Sequence, residues 1–153
     1  MFSKEELKEL KIVFWSGFND LIKKQKSSNG KRLNWLNYPT DVKSIFIRLE
    51  ADQNGARVCF DIQHKQDDLR AIIYEQMTEL KLVLESTISS ETKWFEDYLL
   101  LDKTISRIQW ENKNVNFYNE LDRDKIYTFY KRTLIEFDEF YENYKDILIA
   151  LTD

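Results

Sequence analysis

The sequence predicts an α+β domain: helix, β-hairpin, helix, two strands and a long C-terminal helix, with a mainly antiparallel sheet and helices packed on one face. Three observations carry this. An Asn-Gly pair at 54–55 separates two runs of alternating apolar and polar residues. Three longer stretches repeat apolar residues at helical spacing. Between the last two of these, residues 93–111 return to strand composition.

The first helix opens at Ser3, with Glu6 at capping-box spacing. Leu7, Leu10, Val13, Phe14, Gly17, Phe18, Leu21 and Ile22 then share one face, with Trp15 off its centre. The helix fades in the Lys-rich segment 23–26 and stops at Ser27-Ser28-Asn29-Gly30, which is loop chemistry. Residues 31–40 have no single periodicity. Leu33, Trp35 and Leu36 want burial, and Pro39 ends whatever forms there.

The chain is organised around residues 41–65. A two-residue type I′ turn needs positive φ at both central positions, which Asn54 and Gly55 suit. Counting outward from them pairs Gln53 with Ala56, Asp52 with Arg57, Ala51 with Val58, Glu50 with Cys59, Leu49 with Phe60, Arg48 with Asp61 and Ile47 with Ile62. One face collects Ile45, Ile47, Leu49, Ala51, Val58, Phe60 and Ile62; the other carries two opposite-charge pairs. A lone hairpin is marginal in water, so the rest of the chain must cover the apolar face.

After the hairpin, Asp67 or a neighbour caps a second helix of roughly 20 residues. Leu69, Ile72, Ile73, Gln76, Met77, Leu80, Val83, Leu84 and Ile88 trace its stripe. Ser89-Ser90 breaks it. Residues 93–101 read as a strand, Asp102-Lys103 as a turn, and residues 105–111 as a second strand, continued through Val115 and Phe117 after an irregularity at 112–114. Asp122 caps the final helix, whose stripe runs through Ile126, Phe129, Tyr130, Thr133, Leu134, Phe137, Phe140, Tyr141, Tyr144, Leu148 and Leu151. No repeat or linker interrupts this order, so residues 1–153 form a single domain.

Composition narrows the function classes. The chain is 42% hydrophobic and 33% charged, the balance of a folded domain and not of a disordered tail. Its net charge of −4 lacks the basic footprint usual for nucleic-acid binders. One cysteine, Cys59, cannot form an intrachain disulfide and fits a reducing cytoplasm. No apolar run is long enough to span a membrane. With one histidine, no Cys-x-x-Cys and no Gly-rich phosphate loop, neither a metal site nor a cofactor is implied. His64 reads as a strand-end side chain partly covered by a helix, and Cys59 as a packed thiol.

Three constellations are candidates for function. Asp61, Gln63 and Lys65 follow the acid, acid-x-Lys pattern of PD-(D/E)XK nucleases, with Gln in place of the second acid. In the derived register Arg48 faces Asp61, and Phe46 and Ser44 face Gln63 and Lys65, where an acid is wanted. A charge-laced outer sheet face is the plainer interpretation. Lys23, Lys24, Lys26, Lys31 and Arg32 cluster around a flexible turn, near Trp35 and Tyr38, a mixture able to hold single-stranded nucleic acid. Finally, the apolar stripe of the last helix outruns one small sheet, so Phe140, Tyr144 and Leu148 are candidates for a homodimer contact through that helix.

The residues Leu10-Lys11-Ile12-Val13-Phe14-Trp15 and Phe18, the strand Arg57 to Asp61 running into Asp67-Asp68, Trp94, and Ser106-Arg107-Ile108 before a final aromatic helix give a recognisable layout. It resembles a bacterial family, domain of unknown function 4268. In larger members such a domain follows a PD-(D/E)XK-like nuclease domain. The resemblance implies an accessory role near nucleic-acid processing and supplies no catalytic residues. The expected function is therefore a non-enzymatic accessory or interaction domain. A degenerate nuclease or a nucleic-acid-binding module is the alternative.

Overall fold

A computed structural model describes residues 2–152. Helix α1 spans Lys4–Ile22 and strands β1 and β2 span Ile45–Asp52 and Gly55–Ile62. Helices α2 (Asp67–Glu79) and α3 (Lys81–Thr87) follow, then strands β3 (Thr92–Leu100) and β4 (Lys103–Asn112), and finally α4 (Arg123–Thr152). The strands form one antiparallel sheet in the order β1-β2-β4-β3. Among the described residues, no helix is long and apolar enough to cross a membrane.

Local chemistry sets most element starts. Ser3 Oγ accepts the Glu6 N–H at 3.1 Å and Glu6 returns the bond to the Ser3 N–H, closing the capping box of α1. Asp67 does not cap α2. Gln66 occupies that position without a side-chain bond, and Asp67 and Asp68 lie in the first turn, where acidic charge suits the helix dipole. The single helix expected here breaks at Leu80 (φ −94°, ψ 8°), and neither Gly nor Pro marks the break. Asp122 closes a short 3-10 turn before α4, its carboxylate accepting the Asn116 N–H at 2.9 Å. Val115 and Phe117 do not continue β4. They are buried from a loop that the Phe117 N–H ties to the Asp52 carbonyl at 3.0 Å.

The hairpin keeps its predicted faces but not its predicted partners. Asp52 faces Gly55, Glu50 faces Arg57, Leu49 faces Val58, Ile47 faces Phe60, Phe46 faces Asp61 and Ile45 faces Ile62. The two central turn residues are Gln53 and Asn54, neither with positive φ; Gly55 alone takes it, at 145°. Each apolar residue moves two positions along its partner strand, which preserves the side of the sheet it faces. The Asp52 carboxylate accepts the Asn54 N–H at 2.8 Å, a local turn bond that favours the observed register. Packing adds a second constraint, because a Cβ on Gly55 would lie 2.5 Å from the Asn112 carbonyl oxygen. Gly55→Ala is therefore expected to lower stability by about 1–3 kcal/mol, from the backbone conformation and the clash together. A shift of the urea midpoint with unchanged slope checks it; an unshifted midpoint contradicts it.

Helices cover one face. Phe137 on α4 lies 5.8 Å from the Phe60 ring and 6.0 Å from Trp110, and Tyr141 lies 6.3 Å from Phe60. From α1, Phe14 and Phe18 pack against Tyr127 and Tyr130. Tyr74 of α2 meets Trp94 of β3 edge-on. This cover extends along α4 further than its length against one small sheet leads one to expect. Phe140 is 1% exposed and Leu148 is 0% exposed within one chain, and Tyr144 is half-buried, stacked on Phe140. The expected dimer patch is thus mostly covered within one chain, with Val83 and Thr87 of α3 beside Phe140 and Tyr144. Only Ile147 and Leu151 of that stretch remain open.

Candidate functional site

Among the described residues, the helix packing named above falls on one face of the sheet; on the opposite face Cys59, Asp61, Ile105 and Arg107 are buried among side chains that are exposed or part-exposed. Alternation sends Ser44, Phe46, Arg48, Glu50 and Asp52 there from β1 and its lead-in, with Arg57, Cys59, Asp61 and Gln63 from β2. Strand β4 contributes Lys103, Ile105, Arg107, Gln109 and Glu111, and β3 adds Phe95 and Tyr98 across a bulge. Local counting locates each of these residues on the face; the pairing of β2 with β4 decides whom each one meets.

Arg107 directly faces Asp61 and grips it with both forks, Nε to Oδ1 at 2.8 Å and Nη2 to Oδ2 at 2.9 Å. Arg107 also reaches Glu50 at 3.2 Å and has its guanidinium 4.5 Å from the Tyr98 ring centroid. Asp61 is wholly buried. Burial raises its pKa, the Arg107 hydrogen bonds and charge pull it down, and the net direction is up. Arg57 closes the other half of the network, with Glu50 at 3.0 Å, Asp52 at 2.6 Å and Glu111 at 3.3 Å. Partial burial pushes the Asp52 carboxyl up, but the Asn54 backbone N–H and then the Arg57 hydrogen bond and charge hold it below the usual carboxylate range. The Asp52–Arg57 ion pair expected from the derived register thus forms, but diagonally, since Arg57 directly faces Glu50. Arg48, expected on Asp61, instead faces Cys59 and lies over the Phe46 ring at 4.4 Å.

The nuclease-like residues do not converge. Asp61 is locked by Arg107, the Gln63 amide oxygen accepts from Lys103 Nζ at 2.8 Å, and Lys65 is exposed. His64 is half-buried at the strand end, and its Nδ1 accepts the Gln66 N–H at 3.1 Å. Cys59 is buried beside Gln109, and burial pushes its thiol pKa well up. Among the described residues, no group of three His, Cys, Asp or Glu side chains is placed to hold a metal ion.

The second candidate cluster is ordered where a flexible turn was expected. Lys26 and Arg32 form a β-bridge, and the Ser27 N–H donates to the Lys31 carbonyl at 2.8 Å. Lys23, Lys24, Lys26, Lys31 and Arg32 are all exposed, with Lys23 paired to Asp20 at 3.3 Å. The aromatic partners needed for base stacking point inward: Trp35 is 2% exposed and Tyr38 5%. What holds the loop is a residue sequence reasoning did not single out. Asp138 on α4 is buried and accepts from Ser27 Oγ, the Ser28 N–H and the Tyr38 hydroxyl. Its only sequence signal is an acid within the apolar stripe of α4.

A helix-backed antiparallel sheet whose open face carries an internally paired charge network defines a small α+β domain with a polar display surface. Residues 10–145 match the family described as Domain of unknown function (DUF4268), and the chain belongs to that family. Comparison with curated proteins and with solved structures gives no match.

Proposed function

We propose that this chain is an accessory or interaction module without hydrolytic activity of its own, presenting the open face of its sheet to a partner. The observation that carries this is the bidentate Arg107–Asp61 pair. It removes the one carboxylate of the nuclease-like trio from solvent and fills its acceptor sites with guanidinium donors. A carboxylate so engaged is poorly disposed to hold Mg²⁺ for water activation, a task that needs open oxygen ligands. The neighbourhood of nucleases that the family resemblance implies suits an accessory role in a bacterial cytoplasm.

The test is direct. Single- and double-stranded DNA are incubated with the chain and Mg²⁺ or Mn²⁺. The expected result is no cleavage and no metal-dependent rise in melting temperature. Metal-dependent cleavage that disappears in Lys65→Ala would overturn the reading in favour of a nuclease. Lys65 is exposed and outside every ion pair among the described residues, so its replacement leaves the fold intact.

A further inference from the structure

The open sheet face is electrically divided. Toward the hairpin turn, Glu50, Asp52 and Glu111 share Arg57. At the other end lie Lys43, Arg48, Lys65 and Lys103, and none has a carboxylate within salt-bridge distance among the described residues. All four are exposed. At this end is an open depression lined by Lys43, Ser44, Phe46 and residues 63–66, with no acid in its wall. Of the nearby acids, Asp61 is paired with Arg107, Asp67 with Arg70 and Asp41 with Lys145, while Asp68 is exposed and outside the ion pairs among the described residues. Asp102, in the β3–β4 turn beside Lys103, is exposed.

We infer that this end of the sheet face binds single-stranded nucleic acid. The inference rests on the interaction-module reading and names its partner. Cations without local counter-charges are complementary to a phosphate backbone, and binding there releases the counterions that backbone carries. The half-buried Phe46 ring, with the Arg48 guanidinium stacked on it, presents planar surface against which a base can stack. Ser44, Gln63 and His64 place hydroxyl, amide and imidazole groups around that plane, able to hydrogen-bond base edges. An acidic peptide would use the cations but leave the aromatic plane and the amide idle, so nucleic acid fits more of the site. The depression is open, which suits a polymer lying across it better than an enclosed small molecule. The site is separate from the Lys23–Arg32 cluster, whose aromatic neighbours are buried.

Fluorescence anisotropy with a labelled 15-nucleotide dT oligomer tests this at low salt and across a salt series. Saturable binding is expected. The variant Arg48→Ala/Lys65→Ala/Lys103→Ala should weaken it at least tenfold and flatten the log–log salt dependence by about 2, from three lost phosphate contacts. Phe46→Ala should weaken binding about tenfold with the salt slope kept, the signature of lost stacking. Lys65→Glu alone, at an exposed and unpaired position, should weaken binding severalfold and covers the case in which the triple variant folds poorly. Lys24→Ala/Lys26→Ala/Lys31→Ala should bind within twofold of the parent. No saturable binding by the parent chain, equal binding by the face variants, loss on the loop variant, or equal competition by polyglutamate would each overturn the inference. Absence of binding with no metal-dependent cleavage leaves the interaction-module reading standing, whereas cleavage defeats that reading itself.

Discussion

Replacing Arg107 with Met is expected to destabilise the fold by about 3–5 kcal/mol at neutral pH, the range for breaking a buried pair and stranding one charge. For a chain of this length that is a fall in melting temperature of about 6–20 °C. Arg107 is 1% exposed and Asp61 0% exposed, so no water layer takes over the lost bonds. The loss should depend on pH in a definite direction. The Asp61 pKa is raised in the folded chain, so the folded state binds this proton more readily than the unfolded one. Stability from Asp61 is therefore greatest below the ordinary carboxylate pKa and declines as pH rises through its raised folded value. Removing Arg107 removes the influence that lowers this pKa, so the window widens upward. Arg107→Met should be least harmful at acid pH, where Asp61 carries its proton, and more harmful as pH rises through the raised Asp61 pKa. Adding Asp61→Asn should recover part of the loss and remove that pH dependence. Urea denaturation at two pH values decides it, and equal losses at both, or a loss below about 1 kcal/mol, would contradict the account.

The same pair shows how far local reasoning reaches into this fold. The Ser3–Glu6 box, the two faces of the hairpin and the stripe of α4 follow from contacts within a few residues, and all were legible. The hairpin register was not. Two pairings that differ by two positions keep every side chain on its own face, so hydrophobic alternation cannot separate them. The choice rests on an Asx bond at Asp52 and on the close approach of Gly55 to the Asn112 backbone, 57 positions along the chain. Arg107 was legible as a member of a strand, but its meeting with Asp61 depends on β2 pairing with β4 across α2, α3 and β3. The burial expected of Trp35 is found, but the placing of Trp35 and Tyr38 beside the basic cluster as stacking surfaces fails for a related reason. Their charged sequence neighbours suggested a surface, while their actual partners are Gln25, Phe137 and Asp138. The candidate site suffered most, because its character lies in which charges are paired, and every decisive pairing is between strands or between a loop and a distant helix.

Asp138→Ala is expected to cause the second large loss, and one with a local signature. The carboxylate accepts Ser27 Oγ at 2.9 and 3.1 Å, the Ser28 N–H at 2.7 Å and the Tyr38 hydroxyl at 2.6 Å. Burial, followed by the bond to Asp138, pushes the Tyr38 phenol pKa up, so it remains a donor throughout the stable pH range. Removing the acceptor strands buried polar groups at about 1–3 kcal/mol each, and partial hydration brings the expected total to about 3–5 kcal/mol. Other ties hold residues 23–44 against the core. Tyr141 donates to the Thr40 carbonyl at 2.6 Å, Asn29 to Glu142 at 2.9 Å, and Lys145 pairs with Asp41 at 3.3 Å. The sheet has its own ladders and needs none of these bonds. The strap should therefore open as a unit before the domain unfolds. Trypsin reports this directly, because Lys23, Lys24, Lys26, Lys31 and Arg32 all lie in the strap and are exposed. Under native conditions Asp138→Ala should be cut in residues 23–32 at least tenfold faster than the parent, with later sites still protected. Asp138→Asn, which keeps one carbonyl acceptor, should fall between the two. An unchanged cleavage rate with a loss below about 1 kcal/mol would show that the buried carboxylate does not hold the strap. Cleavage accelerated equally along the whole chain would show that strap and sheet unfold together.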